Sequence, residues 1–173
     1  MGILKKSALQ ALGFLFLFLF LASNTVQADT AFLRQLADKP VASFADAVLV
    51  VTQFLNQGTV TQYSDFEAQK NFLNDKGVLS KRLADKKAED VIRNGDLAEI
   101  VIKTLGIRGG LMLRSVRLWN ENLLGRYFFQ RYALREAIFL RLMKDDEDSR
   151  SFVSGLELIS TVSKMSEYRS GEE

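Results

Sequence analysis

The sequence predicts an all-α protein: a compact bundle of about six or seven short helices with two similar helical hairpins, following a cleavable N-terminal signal peptide. Three observations predict it. Apolar residues recur at helical spacing in several separate stretches. Serines stand three residues ahead of an acid at the head of three of those stretches, as Ser43/Asp46, Ser64/Glu67 and Ser154/Glu157. No stretch has the sustained alternation or the hairpin turns of β-structure.

The first segment reads as an export signal. Lys5 and Lys6 precede a continuous apolar run from Ala11 to Ala22, and Val26 and Ala28 supply small residues ahead of a cleavage point. A run of this length rises about 18 Å as a helix, short of a hydrocarbon core of about 30 Å. Residues 1–28 are therefore assigned to the signal, 29–165 to one helical domain and 166–173 to a flexible tail. The whole chain carries 23 Lys+Arg against 21 Asp+Glu. Loss of Lys5 and Lys6 leaves a neutral mature chain. The expected location is the periplasm, with secretion or envelope association as the alternative, and no integral span after cleavage.

Residues 29–39 suit a short helix that Pro40 stops. Ser43 and Asp46 head the next, FADAVLVVTQFL, whose stripe is Phe44, Ala47, Val48, Val51 and Leu55, with Gly58 to close it. Ser64 and Glu67 head a third, which ends near Gly77. Residues 81–90, KRLADKKAED, read as a solvated turn with Leu83 and Ala84 tucked inward. Asn94 is placed as the cap of GDLAEIVIKTL, ending at Gly106, with Leu97, Ile100, Val101 and Leu105 on one face. Leu111 to Leu124 reads as a helix ended by Gly125, Tyr127 to Met143 as a longer aromatic stretch, and Ser154/Glu157 head the last. The two hairpins are YSDFEAQKNFLNDKGVLS leading to IRNGDLAEIVIKTLG, and YALREAIFLRLM leading through DDEDS to VSGLELISTVSKM.

Residues 63–106 resemble a single S-layer-homology module. Ala68 and Leu73 fall on its first helix, Gly77 at that helix's end, Leu83 in the loop, and Ile92, Gly95, Asp96, Leu97 and Ala98 along the opening of its second helix. The matching stretch covers about a third of the mature chain. It departs from the family at Asn94, where Arg is usual and Arg93 stands one residue early, and its loop lacks the usual proline and aromatics. The resemblance implies a helical scaffold and attachment to a cell-wall polymer or another envelope glycan.

His 0 and Cys 0 exclude a Ser/His/Asp triad, a cysteine nucleophile and the common zinc sites. GIRGG lacks the context of a phosphate loop, and KDDEDSR lacks the central Gly and closing acid of a calcium loop. No cofactor and no metal are expected. Charge is segregated instead: residues 29–102 carry −2, residues 103–144 carry +7 and residues 145–173 carry −5. Arg114, Arg117, Trp119, Arg126, Tyr127, Arg131, Tyr132 and Arg135 are the candidate binding residues, because planar guanidinium groups beside aromatics suit carboxylates, phosphates and sugar faces.

The expected function is non-catalytic: a periplasmic helical protein that binds or supports another envelope protein through this Arg-rich aromatic face. The alternative is a binding module for peptidoglycan or another anionic envelope polymer. Peripheral membrane contact is compatible with either; nucleic acid is not expected. A glycan-cleaving enzyme using Glu121 and Glu136 ranks below both, as does a Ser154 or Ser160 nucleophile with Lys164.

Overall fold

Residues 31–56, 65–108, 123–145 and 148–171 are described by a computed structural model, with side chains from Phe129 onward in the third of these segments. Residues 1–28, expected from the sequence to be a signal, lie outside them, as do Gly58, Ser64, Arg114, Arg117, Trp119 and Glu121. The chain divides into two units, residues 1–35 and 36–173. Seven helices occur among the described residues: α1 (31–37), α2 (Phe44–Leu55), α3 (Phe66–Asp75), α4 (Lys81–Ala84), α5 (Asn94–Thr104), α6 (Leu123–Phe139) and α7 (Gly155–Gly171). There are no strands among those residues, only two isolated antiparallel bridges, Ser43 to Val91 and Arg93 to Phe152. None of these helices is long and apolar enough to cross a membrane.

Local chemistry sets the helix starts. Ser43 caps α2 as a complete box: Asp46 N–H donates to Ser43 Oγ at 3.2 Å, and Ser43 N–H donates to Asp46 Oδ2 at 2.9 Å. Burial pushes the Asp46 carboxyl up, but the Lys39 ammonium at 2.7 Å and the Ser43 N–H and hydroxyl outweigh it, so the group sits below its ordinary value. Ser154 and Glu157 form the same reciprocal pair at α7. Helix α3 is capped by Asp65, whose carboxylate accepts from Ala68 N–H at 2.7 Å. The cap thus falls one residue later than Ser64, since Asp competes well for this place. Gly77 and Gly106 end α3 and α5 at φ of 71° and 66°, where a Cβ is strained.

Other boundaries differ from the expectation. Asn94 is the first residue of α5 rather than its cap, and its amide reaches across the fold to the Asp148 carbonyl at 3.2 Å. Gly125 lies inside α6 rather than ending a helix. Residues 81–84 form a helical turn that buries Leu83 fully, with Ala84 half-buried. Helix α7 continues through Ser166 to Gly171.

Three extended segments precede α2, α5 and α7, and they hold the fold together. Ala42 N–H donates to the Val153 carbonyl at 2.7 Å, Val153 N–H to Ile92 at 3.2 Å, and Ile92 N–H to Ala42 at 3.3 Å. The three bonds close a ring. Two residues on, Phe44, Asn94 and Gly155 each donate to a neighbouring segment, at Asp90, Ser151 and Lys39 respectively. Ala42, Ile92 and Val153 are themselves fully buried, so these bonds are shielded from water. The format seen twice in the sequence, a helix, a turn, a polar join and a second helix, is present as α3 to α5 and α6 to α7. Its final half recurs a third time at α2.

Around the ring the core is aliphatic. Every residue of α5 from Asn94 to Ile102 is buried, which makes it the central helix, and it packs most extensively on α6. Helix α2 packs on α3 and α7, and buries Phe44, Ala47, Val48, Val50 and Val51. That burial on several sides explains why a valine-rich stretch is helical here: tertiary packing overrides β-branched propensity. Gly155 permits the closest approach. A Cβ there would lie 1.6 Å from the Leu36 carbonyl oxygen.

Candidate functional site

The polar heart of the fold lies at the head of α5. Asp96 and Glu99, one turn apart, have side chains only 3% and 5% exposed. Charges that deep require partners. Arg82 of α4 supplies them, with Nη2 at 2.6 Å from Asp96 Oδ1 and 3.3 Å from Glu99 Oε2. Lys86 lies 3.2 Å from Asp96 Oδ2, Lys103 lies 3.1 Å from Glu99, and the Gln130 amide of α6 donates to Asp96 Oδ1 at 2.6 Å. The charged stretch 81–90 is therefore not simply a solvated turn. Two of its cations lock α4 and the following loop onto α5.

This network floors an open groove of about 590 Å³. Arg82, Lys86, Asp90, Arg93, Gln130 and Phe152 are among the residues that line it, together with Arg150. Arg93 is exposed, and its guanidinium lies 5.8 Å from the centre of the Phe152 ring. Phe152 is itself 55% exposed. A second groove, of about 800 Å³, is lined by Arg131, Arg135, Arg150, Asp145, Asp148 and Phe139, among others. Ser149 and Arg150 belong to both, so the two are continuous along the turn before the last helix.

Of the residues expected from sequence, Arg131 and Arg135 are brought together. They are four residues apart on α6, both exposed, and both line the second groove. Tyr132 is half-buried with the Arg135 guanidinium 5.9 Å from its ring centre. Arg126 and Tyr127 belong to α6, but their side chains lie outside the described residues, as do Arg114, Arg117 and Trp119 altogether. The aromatic run divides by helical periodicity: Phe129 is buried with Ala133 and Ala137, whereas Phe139 stands 80% exposed.

Sequence reading missed Arg82, Lys86, Arg93, Arg150, Phe139 and Phe152. Arg93 carried one signal, its place one residue ahead of Asn94 in the likeness to an S-layer-homology module. For the others the relevant neighbours are remote in the chain.

Chemically, this surface can hold anions and apolar side chains. Among the described residues no three His, Cys, Asp or Glu side chains gather to hold a metal ion. Asp96 and Glu99 are engaged by cations, Glu136 is half-buried with a partner, and the Ser154 hydroxyl is used in its helix cap. The described residues form a small all-helical domain. No protein-family model, no curated protein and no solved structure matches the chain.

Proposed function

We propose that the protein is an exported helical adaptor of the bacterial envelope that binds another protein through its arginine and aromatic surface. The observation that carries this reading is the pair of continuous grooves joined at Arg150. Arg93, Arg131 and Arg135 line them without an ion-pair partner among the described residues. Surface guanidinium groups left unpaired beside exposed phenylalanines retain their capacity for carboxylates and for apolar contact. Export rests on residues 1–28 of the sequence, and periplasmic residence follows from it.

A polymer module is the second reading. It is favoured by the mixture of cations with Gln130 and Ser149 in the first groove, which suits a hydroxylated anion, and by the partial likeness of residues 63–106 to an S-layer-homology module. Its matching residues Leu73, Leu83, Ile92, Leu97 and Ala98 are all fully buried, so the likeness concerns scaffold more than surface.

Capture from a detergent extract of envelope proteins, compared with retention by purified wall material, separates the two. The protein reading predicts a discrete captured protein that is lost on Arg135→Glu. Retention by wall material alone, abolished by salt, would replace it with the polymer reading.

A further inference from the structure

Arg131, Leu134, Arg135, Ile138 and Phe139 recur at i, i+3, i+4, i+7 and i+8 along α6, and all five line the second groove. They form one face of that helix, extending over about 12 Å of its axis. Leu134 is buried at the base of this face, Ile138 is half-buried and Phe139 is 80% exposed. The chain leaves α6 at Phe139 and comes back beside Gln130: a Cβ on Gly95 would meet Gln130 Cβ at 3.2 Å and the Ser149 carbonyl oxygen at 3.0 Å. Asp145 and Asp148 belong to this returning stretch and line the same groove from its other side.

The two walls therefore carry opposite charge. Elsewhere in the fold such groups meet, as Asp96 does with Arg82 and Glu99 with Lys103. Here they do not: among the described residues no ion pair joins Arg131 or Arg135 to Asp145 or Asp148, and Arg150, on the acidic side, has a partner of its own. Guanidinium and carboxylate groups stand apart across an opening of about 800 Å³. Neither wall offers backbone groups to an extended chain. Helix α6 pairs its own internally, and the Asp148 and Ser149 carbonyls accept from Asn94 Nδ2–H and Gly95 N–H. A strand laid over Leu134 and Ile138 would leave its inward N–H and C=O groups without partners. A helix brings that pairing with it.

We propose that this groove receives an amphipathic helix of the partner protein. Its apolar ridge lies on Leu134, Ile138 and Phe139, acids one turn apart on one edge meet Arg131 and Arg135, and a cation on the other edge meets Asp145 and Asp148. This inference rests on the protein-binding reading and names the element recognised. Arg131 and Arg135 are about 6 Å apart along the axis, which is the rise between acids at i and i+4 of a helix lying along α6. The opposite charge of the two walls also sets which way the partner helix points, since reversing it would bring like charges together.

The test is a titration of the ¹⁵N-labelled protein, followed by amide NMR, with the blocked peptide acetyl-Leu-Glu-Lys-Leu-Glu-Ala-Lys-Leu-Glu-Lys-Leu-Glu-Ala-Lys-amide. Its glutamates and lysines flank a leucine stripe on opposite edges. Shifts are expected along residues 131–139 and at 145–150, with binding about tenfold or more weaker when glutamines replace the glutamates. A counterpart with proline in place of its first alanine, which cannot be helical through its centre, is expected to lose binding. Arg135→Glu, at an exposed position, is expected to weaken the glutamate peptide by a similar factor and the glutamine counterpart little. Equal affinity for the proline counterpart overturns the helix in favour of an extended segment, while protein binding stands. Shifts outside the groove, no shifts, or a variant that weakens both peptides equally overturn the proposal. Capture of an envelope protein that Arg135→Glu abolishes would then leave the protein-binding reading in place, and failure of that capture would remove both.

Discussion

Replacing Gly155 with alanine should destabilise the domain far more than a buried methyl group ordinarily does. The added Cβ would lie 1.6 Å from the Leu36 carbonyl oxygen and 2.6 Å from the carbon behind it, both backbone atoms. Neither can swing aside as a side-chain tip could. The clash is removed only by moving the head of α7 away from residues 36–42, a shift of about 1.5 Å or more if ordinary contact is to be restored. That displacement breaks the Gly155 N–H bond to Lys39, 3.0 Å long, and strains the Ala42 to Val153 bond of the ring. One lost backbone hydrogen bond costs about 1 kcal/mol and overpacking about 1–3 kcal/mol. Alanine's helix preference over glycine returns at most about 1 kcal/mol. The net loss is about 1–3 kcal/mol, or about 3–12 °C in melting temperature for a domain of this size. Thermal unfolding followed by circular dichroism at 222 nm measures it, with Gly171→Ala as the control because nothing lies within 4 Å of that position. A Gly155→Ala midpoint within about 2 °C of the parent would refute the close approach on which the ring depends.

Arg82→Met should cost about 2–3 kcal/mol, less than the full penalty of a broken buried pair, because Asp96 keeps Lys86 and Gln130 and Glu99 keeps Lys103; urea unfolding at neutral pH reads it, and an unchanged midpoint would mean the acids need no cation. The pH dependence has a definite sign at Asp46. Its folded pKa lies below the ordinary carboxylate value, so the stability it contributes is present above that ordinary value, near 3.8, and is lost as pH falls through the folded one. Asp46→Asn should therefore be less stable than the parent at pH 6, with the gap narrowing below pH about 4; a gap independent of pH would contradict the assignment. Phe139→Ser should leave the melting temperature nearly unchanged, since that ring is 80% exposed, while weakening capture of the partner. A fall of several degrees would show that the ring supports the fold instead.

What could be read from the sequence was local. The boxes at Ser43 and Ser154 involve residues three apart, so their chemistry is visible in the chain itself, and the same is true of the left-handed glycines at 77 and 106. Asp65 took the cap from its neighbour Ser64 because adjacent capping residues compete on nearly equal terms. The Asp96 network could not be read in this way. Arg82 and Gln130 are 14 and 34 residues away from the acid they hold, and only the meeting of α4, α5 and α6 brings them together. Without that meeting, KRLADKKAED has the composition of a solvated turn. The ring itself was not legible, since its bonds join Ala42, Ile92 and Val153, which are about 50 residues or more apart in the chain. The arginine-rich segment drew attention to Arg131 and Arg135, which line one groove. It gave no reason to add Arg93 and Arg150, which lie in chain segments of net negative charge and join the surface through the ring.

The proposed function places a partner protein across Arg131, Arg135 and their shared groove. Its most direct measurement is the affinity of the captured envelope protein for the parent and for the double variant Arg131→Glu, Arg135→Glu, with circular dichroism confirming equal helix content. Both residues are exposed, so the fold should tolerate the change. A loss of affinity of about a hundredfold, accompanied by a weaker salt dependence, is the predicted result. Equal affinity for both proteins would contradict the account.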